Sequence, residues 1–598
     1  MIAENERKHD WKRFAGPGTI LIAAAVAVTP QLIRGNSCGH DFDFHLVSWL
    51  DCVNAWRHGI LYPHWAPSPN YGAGEPRFVY YPPLAWMAGA ALGLVLPWNL
   101  VPIALTFLLL AGTGLATRAL ALEALDEKPA TLAGCVSLFS AYALFTVYER
   151  SAFPESSGGF WLPLLLLFVL RDRNSNARLV CRAFDGSTVP LALVFAGAWL
   201  SDFPLGVMAG YLLAGVALIW AAANRTWAPL LRAALAAVLG LGLSAFYWLP
   251  AAWERFWVDI RQATQDPGSS FQDNWLFVHH ANPTMALHDE VLRQVSWIAV
   301  AMIAAAVAGV IVAWRRGTLP KQRHSTRRLW IPLAAIPIVV LVLMVPISRP
   351  LWLFLPEMRF LQYPWRWLEA VEAPVAIFVM AAIWPRSRVG RTIALTACCV
   401  GFLGLTVLAG TDYFQVCYPE DTVAATLADY RAGTGFEGMY EYEPPGGDDG
   451  SIATGLPDAC LVSDPSAVLG RPDPDDPGAN PIWSADQGSC LAVFAFAQSS
   501  GPENRWILVY VPRPGYLVLR LTRFPAWSLS LNGQPVRNVG DREDGLIAVP
   551  VLAGKVDLTA SWTTTPDVAA ARWLGAVSVL LLTSLWWLEL RHRNPRLR

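Results

Sequence analysis

Long apolar runs recur along the chain, separated by short polar or basic segments, and a helix that spans a bilayer needs about 20 mostly apolar residues. Runs near 14–33, 100–121, 130–147, 158–170, 189–200, 205–223, 229–249, 294–314, 329–347, 370–385, 392–410 and 568–589 meet or approach that length. The pattern predicts a polytopic α-helical membrane protein with about twelve transmembrane helices. The first run, Phe14 to Ile33, is longer than the core of a signal peptide and has no small-residue cleavage site after it, so we expect a retained span.

Lysine and arginine in short loops mark the cytoplasmic side. The basic stretches Arg7–Arg13, Arg171–Arg182, Arg315–Arg328, Arg386–Arg391 and Arg591–Arg598 must therefore share one side. Pro83 to Trp98 is apolar enough to cross, but a crossing there would invert every later loop. We expect instead a helix lying against the outer face, opened by Pro82-Pro83 and closed by Pro97. Both termini are then cytoplasmic. Two large regions face outward: the first loop, 34–99, and residues 411–567 before the last span.

In the second region the periodicity changes. A polar, Pro/Gly-rich stretch from Asp464 to Pro481 is followed by short alternating runs, Trp506–Val511 and Tyr516–Leu521, with the period of strands. Asn532-Gly533 between Trp527–Leu531 and Gln534–Val536 is a tight-hairpin signal, and Val549–Val551 and Val556–Trp562 add two further strands. The expected organisation is a helical membrane domain over 1–410, an extracytoplasmic β-sandwich within 411–567, and a last span with a basic tail over 568–598.

Composition agrees with this. Hydrophobic residues make up 54% and charged residues 15%, against about 25% charged in a soluble domain. A net charge of −1 leaves no cationic surplus for a nucleic-acid backbone, which excludes that class of partner. The 28 tryptophans suit bilayer interfaces or the faces of bound sugars and lipids. The nine cysteines contain no CxxC pair or zinc spacing. Cys38 and Cys52 in one outer region and Cys417, Cys460 and Cys490 in the other can form disulfides in an oxidising compartment, with pairing left open.

Chemistry concentrates in His40-Asp41-Phe42-Asp43-Phe44-His45, just after the first span. Asp43 fits an N-cap for an interfacial helix running to Gly59. Asp41 is then free to take a proton from an acceptor hydroxyl as general base, with His40 or His45 orienting it. Two histidines and two aspartates also leave a divalent ion open as an alternative, although no fixed ligand spacing supports it. Further along, Tyr62-Pro-His-Trp65, Asn70 to Phe78 and Tyr80-Tyr-Pro-Pro83 suit either a rigid lining for a polar ligand or an aromatic belt at the membrane interface.

These segments, together with Tyr148 to Glu155, Phe246 to Pro250 with Glu254, and Arg359 to Arg366, resemble a bacterial polytopic family labelled 6-pyruvoyl-tetrahydropterin synthase-related membrane protein. That family is similar to the GT-C glycosyltransferases, and the resemblance extends through Phe524-Pro-Ala-Trp527 to the last span. It implies a bacterial plasma-membrane enzyme that moves a sugar from a polyprenyl-phosphate donor to an envelope glycan, lipid or protein at the outer face. It further implies a catalytic aspartate in the first outer loop, here Asp41 with Asp43 as the close alternative. His40, His45, Arg150, Glu155, Glu254, Arg359 and Arg366 are the candidate substrate-binding residues. Arginine presents a planar fork of donors that matches phosphate oxygens, and charge on a leaving phosphate is where such a site gains rate. Lipid-facing snorkelling is the plainer role for each arginine. Asp202 departs from the family, which often has histidine there.

A pterin synthase of the soluble kind needs zinc held by three histidines. The ten histidines here are scattered over both sides of the membrane, so that chemistry is excluded. Two further readings remain: a transporter or flippase of a lipid-linked saccharide, and a non-catalytic envelope assembly protein. The polar residues gather at the outer ends of the spans rather than at broken helices in the midplane, which favours the transferase.

Overall fold

The computed structural model describes residues 2–171, 187–265, 267–323, 327–447, 452, 457–466, 491–492 and 496–593. Most of the basic loop 171–182, residues 467–481 of the Pro/Gly-rich stretch, Cys490, His324 and the tail 594–598 lie outside them.

Among the described residues, eight helices are long and apolar enough to cross a membrane: Trp98–Ala121, Glu127–Tyr148, Phe153–Leu170, Phe203–Asn224, Ala228–Glu254, Pro283–Arg315, Arg388–Tyr413 and Pro566–Leu588. The pair Trp330–Leu343 and Pro346–Phe354, bent by 90°, makes a ninth if taken as one span. Every expected span is helical, but three are shorter than a full crossing: Phe14–Ala27, Thr188–Ser201 and the 15-residue Glu369–Ile383. Two of the helix breaks have local causes. Asp202 leaves helical geometry and caps the next helix through the Leu205 amide, and Pro346 breaks the chain after Leu343. The apolar helix Pro83–Gly93 has 11 residues, about 16 Å at 1.5 Å per residue, half of what a crossing requires.

The bundle has two chemically distinct ends. At one, Arg171 pairs with Glu123, Arg232 donates to the Arg171 carbonyl, and Arg316 donates to the carbonyls of Ala382 and Trp384. The other end carries the first loop, the 150, 202 and 360 turns, and the β-sandwich.

That sandwich is built from β1 (Ala459–Val462), β2 (Leu491–Ala492), β3 (Phe496–Gly501), β4 (Asn504–Val511), β5 (Gly515–Thr522), β6 (Trp527–Leu531), β7 (Gln534–Pro535), β8 (Leu546–Val551) and β9 (Gly554–Trp562). One sheet has the order β2-β1-β5-β8 and the other β3-β4-β9-β6-β7. Alternate residues of β4, β5, β8 and β9, among them Val509, Leu519, Val549 and Leu558, meet in one core, as period-two side chains on facing sheets must. Asn532 and Gly533, with φ of 52° and 77°, turn β6 into β7. Two successive positive φ values are what a tight hairpin of this hand demands.

The first loop is bound into this end. Trp65 is fully buried in the sandwich core, 5.2 Å from Trp527 and 5.7 Å from Trp562 between ring centroids. Tyr80 lies in the same core, stacked on Tyr442 at 5.7 Å. These rings therefore dock the loop to the sandwich and do not line a ligand site. A buried Glu75–Arg77 pair adds a polar lock: Arg77 also donates to Ser48 Oγ, and Glu75 accepts from the Met439 amide. Cys38 is disulfide-bonded to Cys417, while Cys52 is free and buried.

Candidate active site at the first-loop end of the bundle

The helix after the first loop turn runs from Phe42 to Arg57, which places Asp41 at its N-cap position and Asp43 in its first turn. This corrects the expected capping role of Asp43. Asp41 makes no side-chain capping bond, so its carboxylate is available for other contacts.

Backbone contacts fix where Asp41 sits. The helix Ala141–Tyr148 is opened by Ser140, whose hydroxyl accepts from the Ala143 amide, and the chain then turns through Ser151 at φ 52° before Pro154 starts the next helix. Ser151 Oγ accepts from the Gly39 amide at 3.1 Å and donates to the Ser37 carbonyl at 2.8 Å. The Asp41 amide donates to the Arg150 carbonyl at 3.0 Å. Gly39 is required by this closeness, because a Cβ there would overlap the backbone of residues 149–151. Gly39→Ala is therefore expected to cost about 1–3 kcal/mol, as overpacking does, and to lower whatever reaction Asp41 supports. Thermal unfolding and turnover of the purified variant check this.

The side chains converge on the same point. His40 Nδ1 lies 2.9 Å from Asp41 Oδ1 and an Arg150 guanidinium nitrogen 3.7 Å from Asp41 Oδ2. Arg150 also pairs with Glu155, whose same oxygen accepts from Arg366 Nε at 2.9 Å. The other Glu155 oxygen accepts from the Tyr142 hydroxyl at 2.7 Å. Both guanidiniums lie over the Tyr363 ring, at 5.3 Å for Arg150 and 4.9 Å for Arg366, a cation–π arrangement. One carboxylate is thus shared by two arginines, and the trio carries a formal surplus of one positive charge with Asp41 at its rim. Glu155 is 4% exposed and Asp41 29%, so only the latter is open to a ligand.

The environment sets the protonation states. Burial would raise the Asp41 carboxyl, but the His40 hydrogen bond and the Arg150 charge hold it well below the usual carboxylate range. His40 is raised in return by its bond to Asp41. His45 is buried among Phe44, Trp49 and Phe153, and burial lowers it to about 4, which leaves a neutral imidazole. Its Nε2 is buried without a hydrogen-bond partner. The carboxyl of Asp202 is pushed up to about 6 by burial, against the field of Arg366.

Four candidates come together with Asp41, namely His40, Arg150, Glu155 and Arg366, and His45 sits one helical turn away. Three do not. Asp43 is exposed and stands outside the cluster. Arg359 is exposed, stacks on Phe360 at 5.4 Å and makes no ion pair among the described residues. Glu254 is buried at the foot of the sandwich, where it accepts from the Thr565 hydroxyl at 3.0 Å. Its position at the end of a long span placed it between two domains instead of in the site.

Tyr142, Tyr363 and Glu369 were missed. Tyr142 stood in a run counted only as apolar, where a polar group is itself a pointer to function, Glu369 directly before the 370–385 run, and Tyr363 inside the Arg359–Arg366 segment. Glu369 packs against Gly158, where a Cβ would overlap its carboxylate. Among the described residues no group of three or more His, Cys, Asp or Glu side chains is arranged to hold a metal, and the Arg150 charge lies beside Asp41.

No protein-family model matches the chain, and no curated protein matches it in sequence. Among solved structures, the Archaeoglobus fulgidus oligosaccharyltransferase in its apo form overlaps 73% of this chain and 61% of its own, with TM-score 0.42 and 12% identity. The same organism's oligosaccharyltransferase AglB, solved with an inhibitory peptide and a dolichol-phosphate, overlaps 73% and 61% with TM-score 0.40 and 13% identity. The arabinofuranosyltransferase AftD from Mycobacteria overlaps 92% and 57% with TM-score 0.42 and 15% identity. The chain thus spans about three fifths of the length of these structures.

Proposed function

We propose that this chain is a multi-pass membrane glycosyltransferase of GT-C type, with the first loop and the sandwich on the outer face of a bacterial plasma membrane and both termini in the cytoplasm. It moves a sugar from a polyprenyl-phosphate donor to a hydroxyl-bearing envelope acceptor. The observation that carries this reading is the partly open Asp41 carboxylate at the rim of the buried Arg150–Glu155–Arg366 trio.

In this reading the acceptor hydroxyl hydrogen-bonds to Asp41, its oxygen attacks the anomeric carbon, and the bond from that carbon to the donor phosphate breaks. The proton passes to Asp41 and the charge to the departing phosphate, which faces Arg150. A carboxylate held as low as Asp41 is a weak base in the resting site. A phosphate bound at Arg150 offsets the Arg150 share of that lowering while the His40 hydrogen bond stays, so donor binding raises its basicity in part. His40 keeps the carboxylate oriented.

The test is turnover by the purified chain with radiolabelled polyprenyl-phosphate sugars and envelope extract. Transfer of label, with release of polyprenyl phosphate, is the expected result. Labelling of a Tyr510→Cys variant by a membrane-impermeant thiol reagent from the cytoplasmic side alone would overturn the orientation and the reading with it.

A further inference from the structure

A cavity lies at the opposite end of the Phe42–Arg57 helix from Asp41. It has a volume of about 440 Å³, within the roughly 300–1,000 Å³ typical of ligand pockets. It opens between the C-terminal end of the Phe42–Arg57 helix, the chain around Tyr430–Phe436, and strands β4, β5 and β9. The helix has 16 residues, so about 24 Å separates this cavity from the Asp41 end.

Its walls are fixed. Asp51, fully buried on that helix, accepts from Ser68 Oγ at 2.5 Å and from the Tyr430 hydroxyl at 3.0 Å. The Phe436 amide donates to the Ser68 carbonyl at 3.0 Å, and the Phe436 carbonyl accepts from the Tyr71 amide at 2.9 Å. Gly435, at φ 79°, allows that approach, since a Cβ would overlap the Tyr71 backbone. The Trp506 indole N–H is held by Asp557 at 2.8 Å. Three half-buried rings, Tyr430, Phe436 and Trp506, therefore line the cavity in set orientations. Aromatic faces of this kind suit the C–H faces of sugar rings.

The charge in the cavity is unbalanced. Arg505 donates to the Arg520 and Gly72 carbonyls and has no carboxylate partner among the described residues. Arg520 pairs with Asp458 at 2.8 Å, yet its Nε is buried without a partner. Two guanidiniums thus face one carboxylate. Burial and the neighbouring Arg520 lower Arg505 to about 10, still protonated at neutral pH.

We infer that this cavity binds an anionic saccharide, its carboxylate or phosphate on Arg505 and Arg520 and its ring against Trp506, Tyr430 or Phe436. Arginine forks match both anions. The site stands whether or not the chain is a transferase.

The test is calorimetric titration of the purified full chain with three probes: trigalacturonate, galactose 6-phosphate and neutral maltotriose. Saturable binding of either anionic probe is expected, and which one binds identifies the anion. In Arg505→Gln the affinity should fall about tenfold or more, as loss of a charge-assisted contact implies. Because Arg505 also ties two carbonyls, Asn54→Trp serves as a second variant that fills the cavity from the helix side without touching those ties. It should abolish binding with unchanged thermal unfolding. Failure of both anionic probes, undiminished binding in Asn54→Trp, or equal affinity for maltotriose would overturn the inference.

Discussion

Asp41→Asn is expected to abolish most turnover while leaving donor binding intact. Asparagine keeps the size of the side chain and can still face His40 Nδ1, now 2.9 Å from the carboxylate. It cannot accept the acceptor's proton, and loss of a positioned general base lowers rate by about 100- to 10,000-fold. The fall should appear in kcat. Donor affinity should hold or rise, because the carboxylate that competes with donor phosphate for Arg150 at 3.7 Å is gone. Asp43→Asn is the control: an exposed residue outside the cluster should change turnover by less than twofold on the scale of ordinary surface substitutions. Measured single-turnover rates with a lipid-linked donor decide the matter, and equal losses from both variants would remove Asp41 from its role.

The second large effect is on stability. Among the described residues Glu155 is the one carboxylate hydrogen-bonded to both Arg150 and Arg366, and removing one member of a buried ionic group costs about 3–5 kcal/mol because a charge is left uncompensated. In Glu155→Gln the Tyr142 hydroxyl keeps an amide oxygen to donate to, so packing is preserved and the loss is electrostatic. Two arginines that have lost their shared carboxylate, with Asp41 left at the rim of the pair, should then take an anion from solution. Pyrophosphate is therefore expected to raise the unfolding temperature of Glu155→Gln more than that of the unsubstituted protein, by simple linkage. A variant as stable as the parent, or one indifferent to pyrophosphate, would show that the trio is not a charge surplus.

Much of the architecture was legible in the chain because its signals are local. Twelve apolar runs became helices, and Trp527–Leu531 became β6 with its hairpin at Asn532-Gly533. Crossing length was less legible, since Asp202 and Pro346 cut or bend helices for reasons of position rather than hydropathy. Strands β1 to β3 escaped notice for a similar reason: β1 is a four-residue run, Ala459–Val462, whose pairing partner β5 lies more than fifty residues away. In the site, Asp41 could be named from the cluster of His and Asp just after the first span, and Arg150, Glu155 and Arg366 from the segments that carry the family resemblance. Which aspartate faces Arg150 could not, since a shift of one residue in the helix start exchanges the roles of Asp41 and Asp43. The aromatic loop segments were ambiguous because the same Tyr, Trp and Pro residues serve as ligand lining or as packing. Trp65 turned out to be sandwich core.

The Cys38–Cys417 bond, which joins residues 379 positions apart, also sets a timetable for biogenesis. At ribosomal rates of about 5–20 residues per second, roughly 20–75 s pass between the synthesis of one thiol and the other. During that interval Cys38 has no partner at position 417, and the nearest other thiol in the chain is Cys52, which is free and buried in the finished protein. Correct maturation of the segment bearing Asp41 thus depends on early burial of Cys52 in the Phe42–Arg57 helix, or on an isomerase that undoes the premature bond. Cells lacking such an isomerase should accumulate chains that are inserted and full-length but inactive.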